Sequence, residues 1–453
     1  MLTLVAFVVA IAVLVMVHEW GHYATARAFG VKVLRFSIGF GPRVVGWRSV
    51  KSGTEYVIGL LPVGGYVKML DEHDAPVAMA ESSKAFNNQP LRSKAAIVAA
   101  GPISNLLLAV ILYSTVNWIG VSQPRAILSQ PPVNSILAGA GFQGGEQILW
   151  AGFEGEALEE IGSFDGFRWW LAKGAVEHRN VQVEFNTPRG GGNQSVLLKL
   201  TELDSQDIDG QLLQKIGISV PFSQARLGKL VPHGAAEQAH LMTDDVVLRV
   251  DDINIMDAVQ LRDLIRASGR SGIPKLQTWL VVRNGEQTAI SIAPKLVQEG
   301  DLSIGRIGAV VGAPPAMATI QFGLLDGIGE AIRHTWETSL LTLRVMGQIV
   351  IGEASLKNLS GPVTIADYAG KSAAMGFTQF LVFLALMSVS LGVLNLLPLP
   401  VLDGGHLMYY LWEALSGKPV AQLWTERLQK VGLVILLMMM SVAIVNDVTR
   451  LLP

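Results

Sequence analysis

Two stretches of this chain carry no formal charge for longer than a bilayer is thick. Residues 95–124, between Lys94 and Arg125, number thirty, and residues 372–402, between Lys371 and Asp403, number thirty-one. A helix rising 1.5 Å per residue needs about 20 residues to cross a ~30 Å hydrocarbon core. In lipid such a stretch must satisfy its own backbone, which a helix does without partners. The pattern therefore predicts a multi-pass α-helical membrane protein. Two further segments complete four transmembrane helices. One runs from about Leu2 to Phe29; the other, Val431 to Asn446, is extended by Leu423, Trp424, Leu451 and Leu452. Composition agrees, with half of the 453 residues hydrophobic, 16% charged and a mean hydropathy of +0.40. The net charge of −2 says nothing about nucleic acid, but the want of a basic cluster argues against it as a partner. With no cysteine, disulfides, thiolate-bound zinc and a thiol nucleophile are all excluded. The N-terminus lacks the basic region and cleavage site of a signal peptide and reads as a retained span.

Charge flanking the spans predicts their direction. From Arg27 to Lys94 there are ten Lys/Arg against five Asp/Glu, which places this loop in the cytoplasm. Both termini and the segment Arg125 to Lys371 are then outside. The loop after Asp403 is inside and carries Lys418, Arg427 and Lys430.

The first span ends in His18-Glu19-Trp20-Gly21-His22, of the form H-E-x-x-H. On a helix both imidazoles project from one face, at the spacing that lets them share one Zn²⁺, with Glu19 beside them as a base. Zinc lowers the pKa of water enough to make a nucleophile at neutral pH. Ionisable groups are costly at membrane depth unless used, which favours a working site over a chance match. A catalytic zinc needs a third protein ligand. The candidate is Asp403, in Asn395-Leu396-Leu397-Pro398-Leu399-Pro400-Val401-Leu402-Asp403-Gly404-Gly405-His406. The first and third spans run in the same direction, and Pro398 and Pro400 free the chain to turn Asp403 back. Asn395 is either a site residue or a helix-packing amide, and His406 a neighbour of the site before it is a ligand.

Elsewhere, Phe36 to Pro42 sets glycines in an apolar run, suggesting a tight turn. Tyr56 to Leu70 reads as a β-hairpin around Pro62, Gly64 and Gly65, either membrane-associated or part of a small soluble subdomain. The stretch Ala140 to Leu149 recurs ninety-nine residues later as Ala239 to Leu248, each followed by a helix and alternating strands. Phe322 to Ile351 has apolar residues at helical spacing and predicts an amphipathic helix on the outer surface or against the bundle.

Together the HEWGH motif, the N-x-x-P-x-P-x-x-D-G motif and the tandem repeat resemble the site-2 protease family of intramembrane zinc endopeptidases over essentially the whole chain. The resemblance implies zinc held by His18, His22 and Asp403, with Glu19 as catalytic base. It implies that Gly101-Pro102-Ile103-Ser104-Asn105 on the second span packs small residues close to the active site, and it implies substrate contacts at Asn395, at Asn105, and at Gly64, Gly65, Tyr66 and Val67 of a membrane-reentrant hairpin. It further implies two periplasmic α+β PDZ-like domains in a bacterial inner-membrane protein whose active site lies near the cytoplasmic side. The implied substrate is a single-span anti-sigma factor already shortened outside, with remnant signal peptides as a second class, in envelope stress signalling. The resulting division is a first transmembrane helix over 1–29, a cytoplasmic loop over 30–94 and a second helix over 95–119. PDZ-like domains over 123–221 and 222–316 and a surface helix over 322–351 follow. Transmembrane helices over 376–403 and 427–448 close it. Thr243-Asp244-Asp245 departs from the usual Gly-Asp turn of such domains, so capture of a C-terminus and a purely steric gate both stand as readings. A membrane-tethered scaffold with a vestigial metal motif is the alternative to an enzyme.

Overall fold

The computed structural model describes the chain except for residues 73–74, 189, 191, 204–211, 271, 301, 351–360 and 452–453. It divides into two compact units, residues 1–121 with 321–453 and residues 122–320. Ile351 and Leu452, the ends of two predicted elements, lie outside the described residues.

In the first unit, four helices among the described residues are long and apolar enough to cross a membrane: Leu2–Ala28, Leu91–Ile119, Phe377–Asn395 and Leu423–Thr449. Each is a run of Leu, Val, Ile, Ala and Met, whose helix satisfies every interior backbone group without water. The second ends at Gly120, whose φ of 84° stops helical winding. The third differs from its predicted extent of 376–403. It stops at Asn395, because Pro398 and Pro400 cannot continue the ladder, and Asp403 instead opens a separate helix, Asp403–Ser416. A helix over Pro362–Met375 was not foreseen, since Thr364, Asp367 and Lys371 break up its apolar pattern. It is held from the fourth span. Asp447 accepts hydrogen bonds from the amides of Gly361, Val363 and Thr364 and from the Thr364 hydroxyl, capping the helix N-terminus in trans.

The predicted surface helix spans Leu324–Val350 and packs on the second span. Trp118 Nε1 donates to Leu324 O at 3.0 Å, Asn117 Nδ2 to Gly327 O at 2.8 Å, and Tyr113 meets His334 edge-on. Its buried face is the small and polar one, Ala331, Thr335, Thr338 and Ser339, while Leu325, Ile332, Trp336 and Leu343 are exposed. Small residues allow close backbone approach, which in lipid holds helices together better than apolar bulk does.

The predicted hairpin over Tyr56–Leu70 is corrected by the structure. Those residues belong to one long strand, β2 (Glu55–Met69), paired with another, β1 (Val33–Arg48). The two halves of β2 do not pair with each other; they flank the first half of β1. Phe36 faces both Tyr56 and Val67, and Ile38 both Ile58 and Gly65, while residues 43–48 pair back on 55–59. Glycine makes the crossing possible. A Cβ on Gly39 would lie 2.9 Å from Leu61 O, and one on Gly59 would lie 2.7 Å from Phe40 O. Gly39 and Gly41 also adopt φ near +90°, at 88° and 86°, as the bend requires. Phe40, Val44, Val45, Trp47, Leu60 and Leu61 are exposed on the resulting sheet.

The second unit contains one topology twice. Strands Gln147–Phe153, Val181–Asn186 and Asn193–Leu198, with Glu159–Glu160, form a four-stranded sheet. Val246–Val250, Gln277–Arg283 and Glu286–Ile292, with Ile253–Asn254, form another in the same order. Each sheet carries a helix, Phe164–Val176 capped by Ser163 or Ala258–Ala267 capped by Asp257. Trp279, Leu261, Val247 and Val281 are fully buried in the second core. The equivalent acids Glu146 and Asp245 both accept from the backbone of the preceding turn, Glu146 from Gln143 and Gly144 and Asp245 from Met242. Asp244, at φ 71°, takes the left-handed place that Gly145, at φ 90°, holds in the first copy. Aspartate is among the few side chains tolerated there, so the departure from Gly-Asp is one of residue and not of shape.

Candidate metal centre

His18 and His22 lie one turn apart on the first span and turn their Nε2 atoms toward each other, 3.3 Å apart. Asp403, on the first turn of its helix, brings Oδ2 to 3.2 Å from His18 Nε2 and 3.6 Å from His22 Nε2. The turn that returns it is tight. Cβ atoms on Gly404 and Gly405 would both stand 2.3 Å from backbone oxygens of residues 396, 397 and 399, so the glycines of the Asp-Gly-Gly sequence are steric necessities.

Zinc bound to nitrogen and oxygen at about 2.0–2.1 Å in a tetrahedron holds its ligand atoms ~3.3 Å apart, and these three atoms have that spacing. Asp403 Oδ2 is buried and receives no hydrogen bond, as an atom reserved for a cation would be. Two imidazoles and a carboxylate are also the donor set of a catalytic rather than a structural site, since they leave a fourth position open. Among the described residues this is the one cluster of three such ligands. The residues present fit the metal.

Glu19 is buried beside the cluster. Its Cγ packs on β2, where a Cβ on Gly65 would stand 2.9 Å away, and Val15 Cγ1 is equally close. The segment 65–69 is an edge among the described residues, paired only with 33–38. Gly64 instead sits under the Phe40 ring, which stacks on Tyr66, and Val67 pairs with Phe36. Of the four hairpin residues singled out in the sequence, Gly65 is thus the one placed against Glu19. Asn395 ends the third span half-buried. His406 stands three residues beyond Asp403, outside the three-ligand cluster.

The second span supplies the surround, in which Gly101 and Asn105 belong to the stretch 101–105 expected near the site and Ile97 carries no motif. His22 Nδ1 donates to Ile97 O at 2.9 Å, which leaves Nε2 free to face the cluster. Pro102, inside the helix, has no N–H for Val98 O, the carbonyl next to that of Ile97. A Cβ on Gly101 would meet His22 Nε2 at 2.3 Å and His18 Cε1 at 2.9 Å, so only glycine leaves the ligands room. Asn105, fully buried, lies with Nδ2 3.2 Å from His18 Nδ1. Ile97, Gly101 and Asn105 recur every four residues, one stripe of a helix, and that spacing around a proline was the available signal. Gly21 brings the two spans together: a Cβ there would lie 2.3 Å from both Ala100 O and Ser104 Oγ.

Comparison with known proteins supplies the family. Residues 6–439 match the profile of peptidase family M50. A Ralstonia nicotianae protein bearing the provisional name of zinc metalloprotease is 40% identical over 100% of this chain and 99% of its own length. The regulator of sigma-E protease RseP of Escherichia coli is 34% identical over 99% of this chain and 98% of its own. The regulator of sigma E protease of Haemophilus influenzae is 34% identical over 98% of each.

Proposed function

This chain belongs to peptidase family M50, the site-2 zinc metalloproteases, and from that premise we propose that it hydrolyses a peptide bond within the membrane span of a single-pass protein. The observation that carries the reading is the convergence of His18, His22 and Asp403 within 3.2–3.6 Å, beside Glu19, in a unit of membrane-length helices. His18, His22 and Asp403 would hold the zinc, which when bound activates water and polarises the scissile carbonyl. Glu19 accepts the proton of the attacking water and delivers it to the leaving amide nitrogen, so that one carboxylate serves both halves of the hydrolysis. The edge at 65–69 offers backbone groups to an extended substrate strand, and Gly65 lets that strand pass close to Glu19. A helix hides its peptide bonds, so a substrate span must unwind to be cut, and an added strand is one way to hold it unwound. Asn395, where the third span ends, steadies the same segment. The exposed apolar side chains of β1 and β2 suit a sheet dipping into lipid, with its backbone unpaired only along the edges.

The names of its relatives carry sigma-E regulation, which supports as substrate an anti-sigma factor in a stress pathway of a bacterial inner membrane. A prior cut outside the membrane and a second substrate class of remnant signal peptides extend this reading. The repeats of residues 122–320 are PDZ-like and periplasmic in it, as are both termini, with the metal centre toward the cytoplasmic side. The deciding experiment is Glu19→Gln. The amide fits the space but takes no proton, so zinc content should be unchanged while cleavage of a model single-span substrate falls by ~10² or more. Wild-type turnover by this variant would refute the assignment.

A further inference from the structure

We propose that Asn105 is a positioning residue for the metal ligand His18, acting through its side-chain oxygen and not as a contact for substrate. The proposal rests on the zinc reading above and adds the second hydrogen bond that fixes the ligand pair. Three observations carry it. Asn105 is fully buried on the second span, its amide 3.2 Å from His18 Nδ1, the nitrogen turned away from the cluster. Its other amide atom, Oδ1, is buried without a hydrogen-bond partner. Its backbone carbonyl accepts from Ser388 Oγ of the third span at 2.7 Å, which ties the residue to a second helix.

A ligand imidazole must present a lone pair at Nε2, so its proton resides on Nδ1, and that N–H needs an acceptor. For His22 the acceptor is Ile97 O. For His18 the group at hand is Asn105. The two ends of its amide have the same shape, so a half-turn about the terminal bond places Oδ1 on the Nδ1–H. That orientation gives the Nδ1–H its acceptor and holds the imidazole in the ligand tautomer. The second span thereby secures both ligand histidines, one by the Ile97 carbonyl and one by a side chain two turns further on. Burial argues against a substrate role: a side chain with no exposed surface, already engaged behind a ligand, has no face to offer a peptide.

The test is zinc affinity of the purified full-length protein, measured by competition with a chromogenic chelator. Asn105→Asp keeps an acceptor oxygen in place; Asn105→Leu keeps the volume and removes the acceptor; Asn105→Ala removes both. Loss of an outer hydrogen bond to a ligand histidine weakens binding about 10- to 100-fold. Leu and Ala should show that loss, and Asp should bind at least as tightly as wild type. A residue serving only to pack would give the reverse order, with Leu tolerated and Asp impaired. That order, or wild-type affinity in both Leu and Ala, overturns the proposal. If Leu does not fold, Ala against Asp decides it. A wild-type protein that binds no zinc would instead refute the metal reading on which this one stands.

Discussion

Asp403 belongs to the metal cluster by virtue of seven residues that are not helical. Between Asn395 and Asp403 the chain turns over Pro398 and Pro400, and a carboxylate distant in sequence arrives 3.2 Å from His18. Asp403→Ala should therefore lower zinc occupancy as well as activity, whereas Asn395→Ala should keep zinc and lose cleavage. Metal analysis of the two purified variants separates them; full zinc in Asp403→Ala would contradict its role as a ligand. A second residue-scale prediction concerns Asp245, which is buried and paired with Arg283 at 2.7 and 2.8 Å. Burial alone would raise its pKa, but Arg283 and the Met242 amide outweigh burial and hold it below the ordinary carboxylate value. A folded pKa below the unfolded one means that the stabilisation is present above about pH 4 and is lost as pH falls through the folded value. Arg283→Leu strands the carboxylate and should cost about 3 kcal/mol at neutral pH, the low end for a buried pair because Arg283 is partly exposed. Pulse proteolysis of residues 122–320 in the intact protein, at pH 7 and pH 3, should show a gap between wild type and variant that closes in acid.

At the scale of elements, the distance between the first two spans is set where Gly21 meets Ala100 and Ser104. Gly21→Val should push the spans apart by the width of a side chain, displacing His18 and His22 from Ile97 and Asn105. Zinc binding and cleavage should fall together, with insertion intact; a Gly21→Val protein retaining wild-type zinc affinity would show that the contact can yield. The sheet of β1 and β2 follows a similar rule. Its strands cross because Gly39 and Gly59 lack side chains, and Gly65 of the crossing strand lies against Glu19.

On the scale of the whole molecule, residues 122–320 are an insertion into a unit that closes without them. Phe322 N donates to Asn117 O at 3.0 Å, and Gln321 Nε2 to Trp118 O at 2.8 Å. The ends left by excision are thus neighbours, the condition under which domain removal is tolerated. Replacing 122–320 by a short Gly-Ser linker should leave zinc content intact. If those residues restrain access, the excised protein should cut a substrate whose folded outer domain blocks the full-length enzyme. Should it still cut only the truncated form, the restraint lies elsewhere, with Leu324–Val350 the next element to vary.

Sequence alone determined what depends on local chemistry. Apolar length specifies a spanning helix whatever surrounds it, so four spans were legible from hydropathy. The spacing of His18 and His22 puts both on one helical face for the same local reason, and a ninety-nine-residue recurrence announced two copies of one topology. Tertiary structure decided whatever depends on a second element. Pairing of β1 with β2 is a matter of long-range register, and a run of alternating residues cannot say whether its halves face each other or a third segment. Helix Pro362–Met375 is secured by Asp447 from another helix, so its own sequence carries only a weak sign of it. The carbonyl of Ile97 and the amide of Asn105 acquire meaning only when the second span lies against the first. Ligand types can be read along a chain, but the hydrogen bonds that aim them cross between elements, and only packing brings those partners within 3 Å or so of one another.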